Sequence, residues 1–378
     1  MLFQIGTSSD TPIVEWVCAQ TCSVEAMNVA IVGAGIAGSF LGCLLEKKGI
    51  HPDVFEQGDH DTACRFRPCG WGAQSGIGTF LALAGLDLKS YVLSSMESMH
   101  FDGLVAATGL CTIDKPALIR DLRSGCTIIP RPFTGGERDA YDVVVDATGM
   151  SRSLLPPCTS DLVLPTFQHR VAIEPANGNR PGPGVYGNQI PGLGYIWVFP
   201  LGNDQYHIGA GGLVFDRYGE VLDRFFEELA GNYTFTHSCS CAGGIRVASP
   251  FYSQPFASAR TRKDGTFQRI IGVGESIGTV SPFTGEGIIH SLECAQMLAD
   301  SWPDSELYAS RVLSRFSWMK KERETLDYLL TAGQERGPRI RDRWRFYRNA
   351  RRSGVRLPIQ EAFRRIGSLT RWIEGGNS

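Results

Sequence analysis

The hydrophobic pattern starts sharply at Val29-Ala-Ile-Val32, four apolar residues with no polar interruption. Such a run marks a strand covered on both faces, as in parallel sheets. Gly33-Ala-Gly35-Ile-Ala37-Gly38 follows. Ser39 to Lys48 then carries apolar residues at Phe40, Leu41, Leu44 and Leu45, the spacing of one helix face, and Gly49 closes it. A short apolar stretch at 53–56 ends on Glu56 and predicts a second strand. Strand, glycine turn, helix and strand make one β-α-β unit.

Further along, 64–79 read as a loop rich in Gly, Cys and Arg, 114–123 as a helix, and Tyr141 to Ala147 as another buried strand. The pattern changes at 160–262. Alternating, aromatic segments broken by Gly and Pro, such as Gly194-Tyr-Ile-Trp-Val-Phe-Pro200 and Tyr206-His-Ile-Gly-Ala-Gly211, predict an antiparallel sheet. A buried strand returns at 269–274, Gly285 to Asp300 predicts a helix, and the rest reads as mostly helical. The expected fold is α/β: a Rossmann-like domain (27–100, 111–159 and 263–305) interrupted by a mainly antiparallel substrate domain (160–262). A helical, Arg-rich region (306–378) follows. Residues 1–26 read as an extension, with Met27 as the natural start; a strand of the main sheet over Ile13 to Val17 would contradict that.

Composition narrows the classes. A chain of 378 residues suits two packed domains. A net charge of −2 gives no global field for nucleic acid. The eleven cysteines are scattered through a chain too large to need disulfide staples, so a reduced, cytoplasmic protein is expected. Neither Cys18 with Cys22 nor Cys239 with Cys241 finds a second ligand pair, so no metal is expected. No apolar run reaches the ~18 residues of a membrane span, and the first 26 residues lack a secretory signal pattern.

Two glycine patterns carry chemistry. In Gly33-x-Gly35-x-x-Gly38 the first glycine permits the turn, the second lets backbone approach a pyrophosphate, and the third lets helix and strand pack closely. Glu56 ends the next strand, where a carboxylate meets ribose hydroxyls. The motif alone does not separate NAD from FAD. The second pattern, Gly272-Val-Gly274-Glu275-Ser-Ile-Gly278 and then Pro282-Phe-Thr-Gly285-Glu-Gly287-Ile288, reads as strand, glycine turn, loop and new helix. Many flavoproteins place such an element against the flavin, with helix N–H groups near its N1–C2=O edge.

Five stretches together resemble the geranylgeranyl reductase family of FAD proteins, within the aromatic-hydroxylase-like flavoproteins. They are the turn at 32–39, Arg67-Pro-Cys69-Gly70-Trp71-Gly72, Asp142 to Arg152, Gly194-Tyr195-Ile-Trp197-Val-Phe199-Pro200-Leu-Gly202, and 272–288. The chain departs from the family at Trp71 (usually Glu), at Glu275-Ser-Ile (usually Asp-Ala-Ala), at Lys115 (commonly Arg), and in the short stretch from Arg120 to Asp142. The resemblance implies FAD held first by Gly33, Gly35, Ala37, Gly38 and Glu56. Cys69, Gly70, Gly72, Lys115, Arg120 and Gly149 come next, then Gly274, Glu275, Gly278, Gly285, Gly287 and Ile288. It also implies NAD(P)H or a ferredoxin as electron donor.

Cys69 and Trp71 are the candidate catalytic residues. Cys69 is read as a proton donor, a redox thiol or a packed cofactor contact, and Trp71 as a ring stacked on the flavin, a tunnel wall or a loop anchor. Tyr195, Trp197 and Phe199 alternate, so they share one strand face. An aromatic face suits an isoprenoid tail, whose burial is worth ~25 cal/mol per Å2; a plain sheet core is the other reading. His207 and His290 are assigned no role. From Arg336 to Trp372 there are twelve arginines and two acids, interleaved with aromatics. That segment reads either as a solvated helical surface or as a peripheral contact with anionic lipid; no nucleic-acid reader motif accompanies it. The expected activity is reduction of C=C bonds in a geranylgeranyl chain, on a lipid or a diphosphate. The alternatives are a monooxygenase of an aromatic or polyketide substrate and a non-catalytic flavin or lipid binder. The Trp-x-Trp-x-Ile-Pro segment of flavin halogenases is absent.

Overall fold

The computed structural model describes residues 27–57, 69–158, 160–187, 193–213, 217–254, 256–262, 264–331, 338–361 and 363. The readings made for 1–26, and for Arg67 and Pro68, lie outside them.

The described residues form two sheets. In the six-stranded sheet the order is Ala257–Thr261, Phe267–Gly272, Val143–Asp146, Val29–Val32, Asp53–Phe55 and Thr127–Ile129. All its pairs are parallel except the first. The unbroken apolar run at its centre follows from two-sided cover. Ile31, Val143 and Val145 face a layer with Phe40, Leu41, Leu292 and Leu298 from the helices Ile36–Glu46 and Ile288–Ser301. Ala30, Phe55 and Val144 face the other way, toward Phe133 and Tyr141.

The nine-stranded sheet is antiparallel except where Val92–Phe101 meets Gly184–Tyr186. Its order is Tyr233–Arg246, Val163–Pro175, Gln205–Gly212, Gly194–Pro200, Gly184–Tyr186, Val92–Phe101, Leu104–Ile113 and Val355–Arg356, with Gly72–Gln74 also paired to Leu104–Ile113.

The sheets divide the chain differently from the expected boundaries. The hairpin of Val92–Phe101 and Leu104–Ile113 belongs to the second sheet, not to the dinucleotide-binding domain. Its buried Met96 and Met99 are three residues apart, with exposed Glu97 and Ser98 between them at a register shift, so a bulge brings both methionines inward. Ala257–Thr261 pairs with Phe267–Gly272 and so edges the first sheet instead of the second. Within the expected sheet region, Tyr218–Leu229 is a helix. Tyr218, Val221, Leu222, Phe225 and Phe226 bury at helical spacing against Ile196, Val198 and Ile208. The C-terminal helices Ser305–Arg315, Ser317–Leu330 and Ile340–Arg352 are followed by a strand, Val355–Arg356, where helix was expected.

Seven described cysteines are free. Cys239 is disulfide-bonded, which corrects the reading of a fully reduced chain. It lies half-buried on the sheet's outermost strand, at a register shift. No helix among the described residues is long and apolar enough to cross a membrane.

Candidate functional site

A cavity of about 630 Å3 lies where the two sheets meet. One wall starts at the first glycine turn. Gly33 has φ +103°, and a Cβ there would lie 2.4 Å from the Ala147 carbonyl oxygen; one at Gly38 would lie 1.9 Å from the Gly33 oxygen. These two glycines are therefore fixed by packing. Gly35 differs: a Cβ would meet nothing within 4 Å, because the residue faces the cavity. It also caps the helix Ile36–Glu46, and no side chain takes up the helix's first N–H groups.

The end of the second strand closes over this turn. Glu56 accepts the Ala34 N–H at 2.9 Å, and Arg123 donates to the Ala34 carbonyl at 3.0 Å while standing 3.5 Å from Glu56. Arg123 was missed in the sequence, and Arg120 was named in its place. On the helix Lys115–Arg123, positions 115, 119 and 123 form one stripe; Lys115 and Ile119 line the cavity, and Arg123 reaches the turn. Arg120 falls on the outer face, 72% exposed, beside Asp121.

The second glycine segment abuts the first. A Cβ at Gly274 would lie 2.7 Å from that of Ala37. Arg152, buried, donates to the carbonyls of Ser276 and Ser253, each at 2.7 Å, and to Pro156 at 2.9 Å, which ties the stretch after Asp146 to this turn. Asp146 in turn accepts N–H groups from Thr148, Leu154 and Leu155. Glu275 faces the cavity and accepts the Arg246 N–H at 3.0 Å. Gly149, Gly285, Gly287 and Ile288 line the cavity, whereas Gly38, Gly274 and Gly278 sit behind its wall as packing glycines.

Tyr195, Trp197 and Phe199 line the opposite wall, while Ile196 and Val198 between them face the helix Tyr218–Leu229. The loop Cys69–Gly72 lies flat on these rings: a Cβ at Gly70 would fall 2.3 Å from Phe199 and 3.3 Å from Trp197. Trp197 donates to Gln168 at 3.0 Å, and the Tyr195 hydroxyl donates to the Thr284 carbonyl. Met99, Phe101, Leu110, Val185 and Val355 extend this wall as an apolar surface.

Comparison with known proteins follows the same lines. Residues 31–65 match the NAD(P)-binding Rossmann-like domain. The uncharacterized protein MJ1182 of Methanocaldococcus jannaschii is 23% identical over 345 residues, 79% of this chain and 91% of that one. Digeranylgeranylglycerophospholipid reductase 2 of Methanothermobacter thermautotrophicus is 31% identical over 151 residues, 38% of this chain and 35% of that one. The chain thus matches about a third of that reductase's length. A geranylgeranyl bacteriochlorophyll reductase-like structure from Thermoplasma acidophilum shares the fold over 91% of both chains (TM-score 0.57, 16% identity). The lanthipeptide-type tryptophan 5-halogenase MibH shares it too, over 94% of this chain and 92% of its own (TM-score 0.58, 14% identity). The chain is thus similar in part of its sequence to digeranylgeranylglycerophospholipid reductases, and it shares the fold of FAD-type oxidoreductases.

The residues of the cavity fit a flavin dinucleotide. The open space over Gly35 and the uncapped helix start form a cradle for a pyrophosphate. The helix Ile288–Ser301 likewise begins at Gly287 without a side-chain cap, facing the same cavity.

Trp71 is not among the residues that line the cavity. Its backbone is left-handed (φ 57°), which turns the buried ring under the loop onto His207, with centroids 4.5 Å apart at 79°. Of its expected roles it keeps that of loop anchor. Burial and the nearby Arg170 charge hold His207 down to about 3, so it stays neutral near pH 7. Cys69 does face the cavity. Burial, with Glu286 and Cys69 nearby, raises the Tyr195 phenol. Two cavity-side residues escaped the sequence reading: Glu286, and Gln74, whose amide donates to both Glu286 oxygens at 2.8 and 2.9 Å. The signal for Glu286 was present in Gly285-Glu286-Gly287, where the glycines drew attention from the acid between them.

Proposed function

We propose that this protein is an FAD-dependent reductase of C=C bonds in a geranylgeranyl or related isoprenoid chain. One observation carries the reading: the aromatic face of Tyr195, Trp197 and Phe199, with its apolar extension, lines the same cavity as the glycine cradle. The relatives named as reductases support it.

Gly33, Gly35 and Ala37, with the N–H groups at the start of the first helix, hold the pyrophosphate. Glu56 and Lys115 attend the adenosine side, and Gly149 gives the backbone room nearby. Cys69, Gly70, Gly72, Glu275, Gly285, Gly287 and Ile288 would hold the flavin ring. When bound, the reduced cofactor supplies hydride. The rings of Tyr195, Trp197 and Phe199 exclude water and align the alkene. NAD(P)H or a ferredoxin-like protein supplies the electrons. The C-terminal segment contacts anionic lipid, from which the substrate enters.

The test is anaerobic. Protein reduced with dithionite receives a geranylgeranyl lipid, and flavin reoxidation is followed beside product mass. A gain of about 2 Da per bond is expected from one hydride and one proton. Because a halogenase shares the fold, oxygen uptake is measured in parallel. Reoxidation only with oxygen, and no mass gain, would transfer the reading to a monooxygenase.

A further inference from the structure

Adding hydrogen across an alkene takes a proton as well as a hydride, and the geometry around the helix Ile288–Ser301 points to its source. Glu286 faces the cavity, and Gln74 fixes both of its carboxylate oxygens. Behind it, away from the cavity, His290 Nε2 lies 3.9 Å from Glu286, and His290 Nδ1 lies 4.0 Å from Glu293. His290 and Glu293 share one face of the helix, and Glu286, in the loop just before its Gly287 cap, stands at the N-terminal end of that face. Glu293 pairs with Arg315, whose side chain is 54% exposed. The series runs from the cavity to the surface.

The imidazole is the unusual member. It is 5% exposed, walled by the Phe316 and Trp318 rings at 5.9 and 5.2 Å, and its Nδ1 has no hydrogen-bond partner. A buried polar atom left unpaired costs free energy, so a purely structural histidine would be expected to close one of its two gaps. Instead it stands midway between two carboxylates. Each gap closes with a modest side-chain rotation or one bridging water.

We infer that Glu286 is the acid that protonates the substrate, and that His290 and Glu293 return a proton to it from solvent. The inference rests on the reductase reading above. The balance is simple. One alkene carbon takes the hydride of the reduced flavin, which is oxidised by two electrons. The neighbouring carbon takes the Glu286 proton, so the Glu286 O–H bond breaks as a C–H bond forms. The resulting carboxylate takes a proton from His290 Nε2. His290 regains one at Nδ1 by way of Glu293. Glu286 is a catalytic residue on this account; His290 and Glu293 are positioning residues that act through it.

Two measurements test it. In the first, the flavin-free protein is labelled at histidine nitrogen and its imidazole signals are recorded by NMR at one fixed pH. Besides Glu286 and Glu293, the charges near His290 are Arg315 beyond Glu293 and Arg352, which lies 4.0 Å over the Trp318 ring. Glu286→Gln and Glu293→Gln should each move the His290 nitrogen signals, which report the groups facing the ring. No movement in either variant would overturn the relay, whatever the protein reduces. In the second, prenyl-driven reoxidation is followed in H2O and D2O. Glu286→Gln should slow it by about a hundredfold, the scale of general-acid catalysis. Dithionite reduction of the flavin should be unaffected, and Glu286→Asp should recover part of the rate. His290→Gln should slow turnover and change the solvent isotope effect, which a merely structural role would leave alone. A Glu286→Gln variant as fast as the wild type would overturn the inference and pass the acid role to Cys69 or Tyr195. A protein that reduces no alkene, yet whose two variants both move the His290 signals, would sink the reductase reading and leave the proton path standing.

Discussion

At the residue scale, glycines at this site do two separable jobs. Gly35 borders open space, so Gly35→Ala should leave the melting temperature of the flavin-free protein unchanged while abolishing flavin retention, as read from absorbance after gel filtration. Gly70 has no such room, because a Cβ would run into Phe199. Gly70→Ala should therefore push the ring aside and cut turnover more than flavin content; equal losses of both would contradict it. The glycine pattern itself was legible in the sequence because backbone geometry permits few substitutes. What the sequence hid is direction. Arg120 and Arg123 are three residues apart, yet one meets solvent and the other the glycine turn, and only the phase of the helix separates them. Trp71 was misread for a similar reason: nothing local announces a left-handed backbone at tryptophan.

At the element scale, the strand Gly194–Pro200 divides its work between its faces. Ala substitutions at Tyr195, Trp197 or Phe199 should harm turnover more than flavin binding. Ile196→Ala, on the face buried against Tyr218–Leu229, should instead cost about 2–5 kcal/mol in denaturant unfolding with the cavity wall intact. Alternation made that strand readable. The helix Tyr218–Leu229 was not, because its apolar spacing is embedded among strand-like segments on both sides.

The loop before Ile288–Ser301 depends on a second element, Ile340–Arg352. Phe283 stacks on Phe346 at 3.9 Å, and buried Glu322 takes hydrogen bonds from Asn349 at 2.6 Å and Ser281 at 3.1 Å. Burial pushes the Glu322 carboxyl up to about 8, against the pull of Arg352. An acid raised on folding stabilises below its unfolded value and loses that contribution as pH climbs through the folded one. Unfolding free energy should therefore fall between roughly pH 4.5 and pH 8, at up to about 1.4 kcal/mol per pH unit. Glu322→Gln should flatten that slope.

At the scale of the whole molecule, the two-sheet plan was legible because parallel and antiparallel strands differ in hydrophobic pattern. The boundary between them was not, since the hairpin at 92–113 crosses to the second sheet over a connection with no marker of its own. The Arg-rich end resolves into two populations. Arg339, Arg345 and Arg352 pair with Asp342 or Glu322. Arg341, Arg348, Arg351 and Arg356 are exposed, beside Ile340 at 73% and Trp344 at 41%. Binding to vesicles should rise with anionic lipid and fall with salt, and Arg341→Glu with Arg348→Glu should weaken it. Equal binding to neutral vesicles would remove this contact.

Ser353 and Val355 line the cavity, and Val355 pairs with Thr108 far earlier in the chain. The chamber is therefore completed by a segment made after both glycine turns and the aromatic strand. A nascent chain stopped short of Gly354 would carry both glycine turns and the aromatic strand, yet its apolar pocket would stand open to water on one side. The apolar wall is thus completed only after the glycine turns at the other side of the cavity have been made.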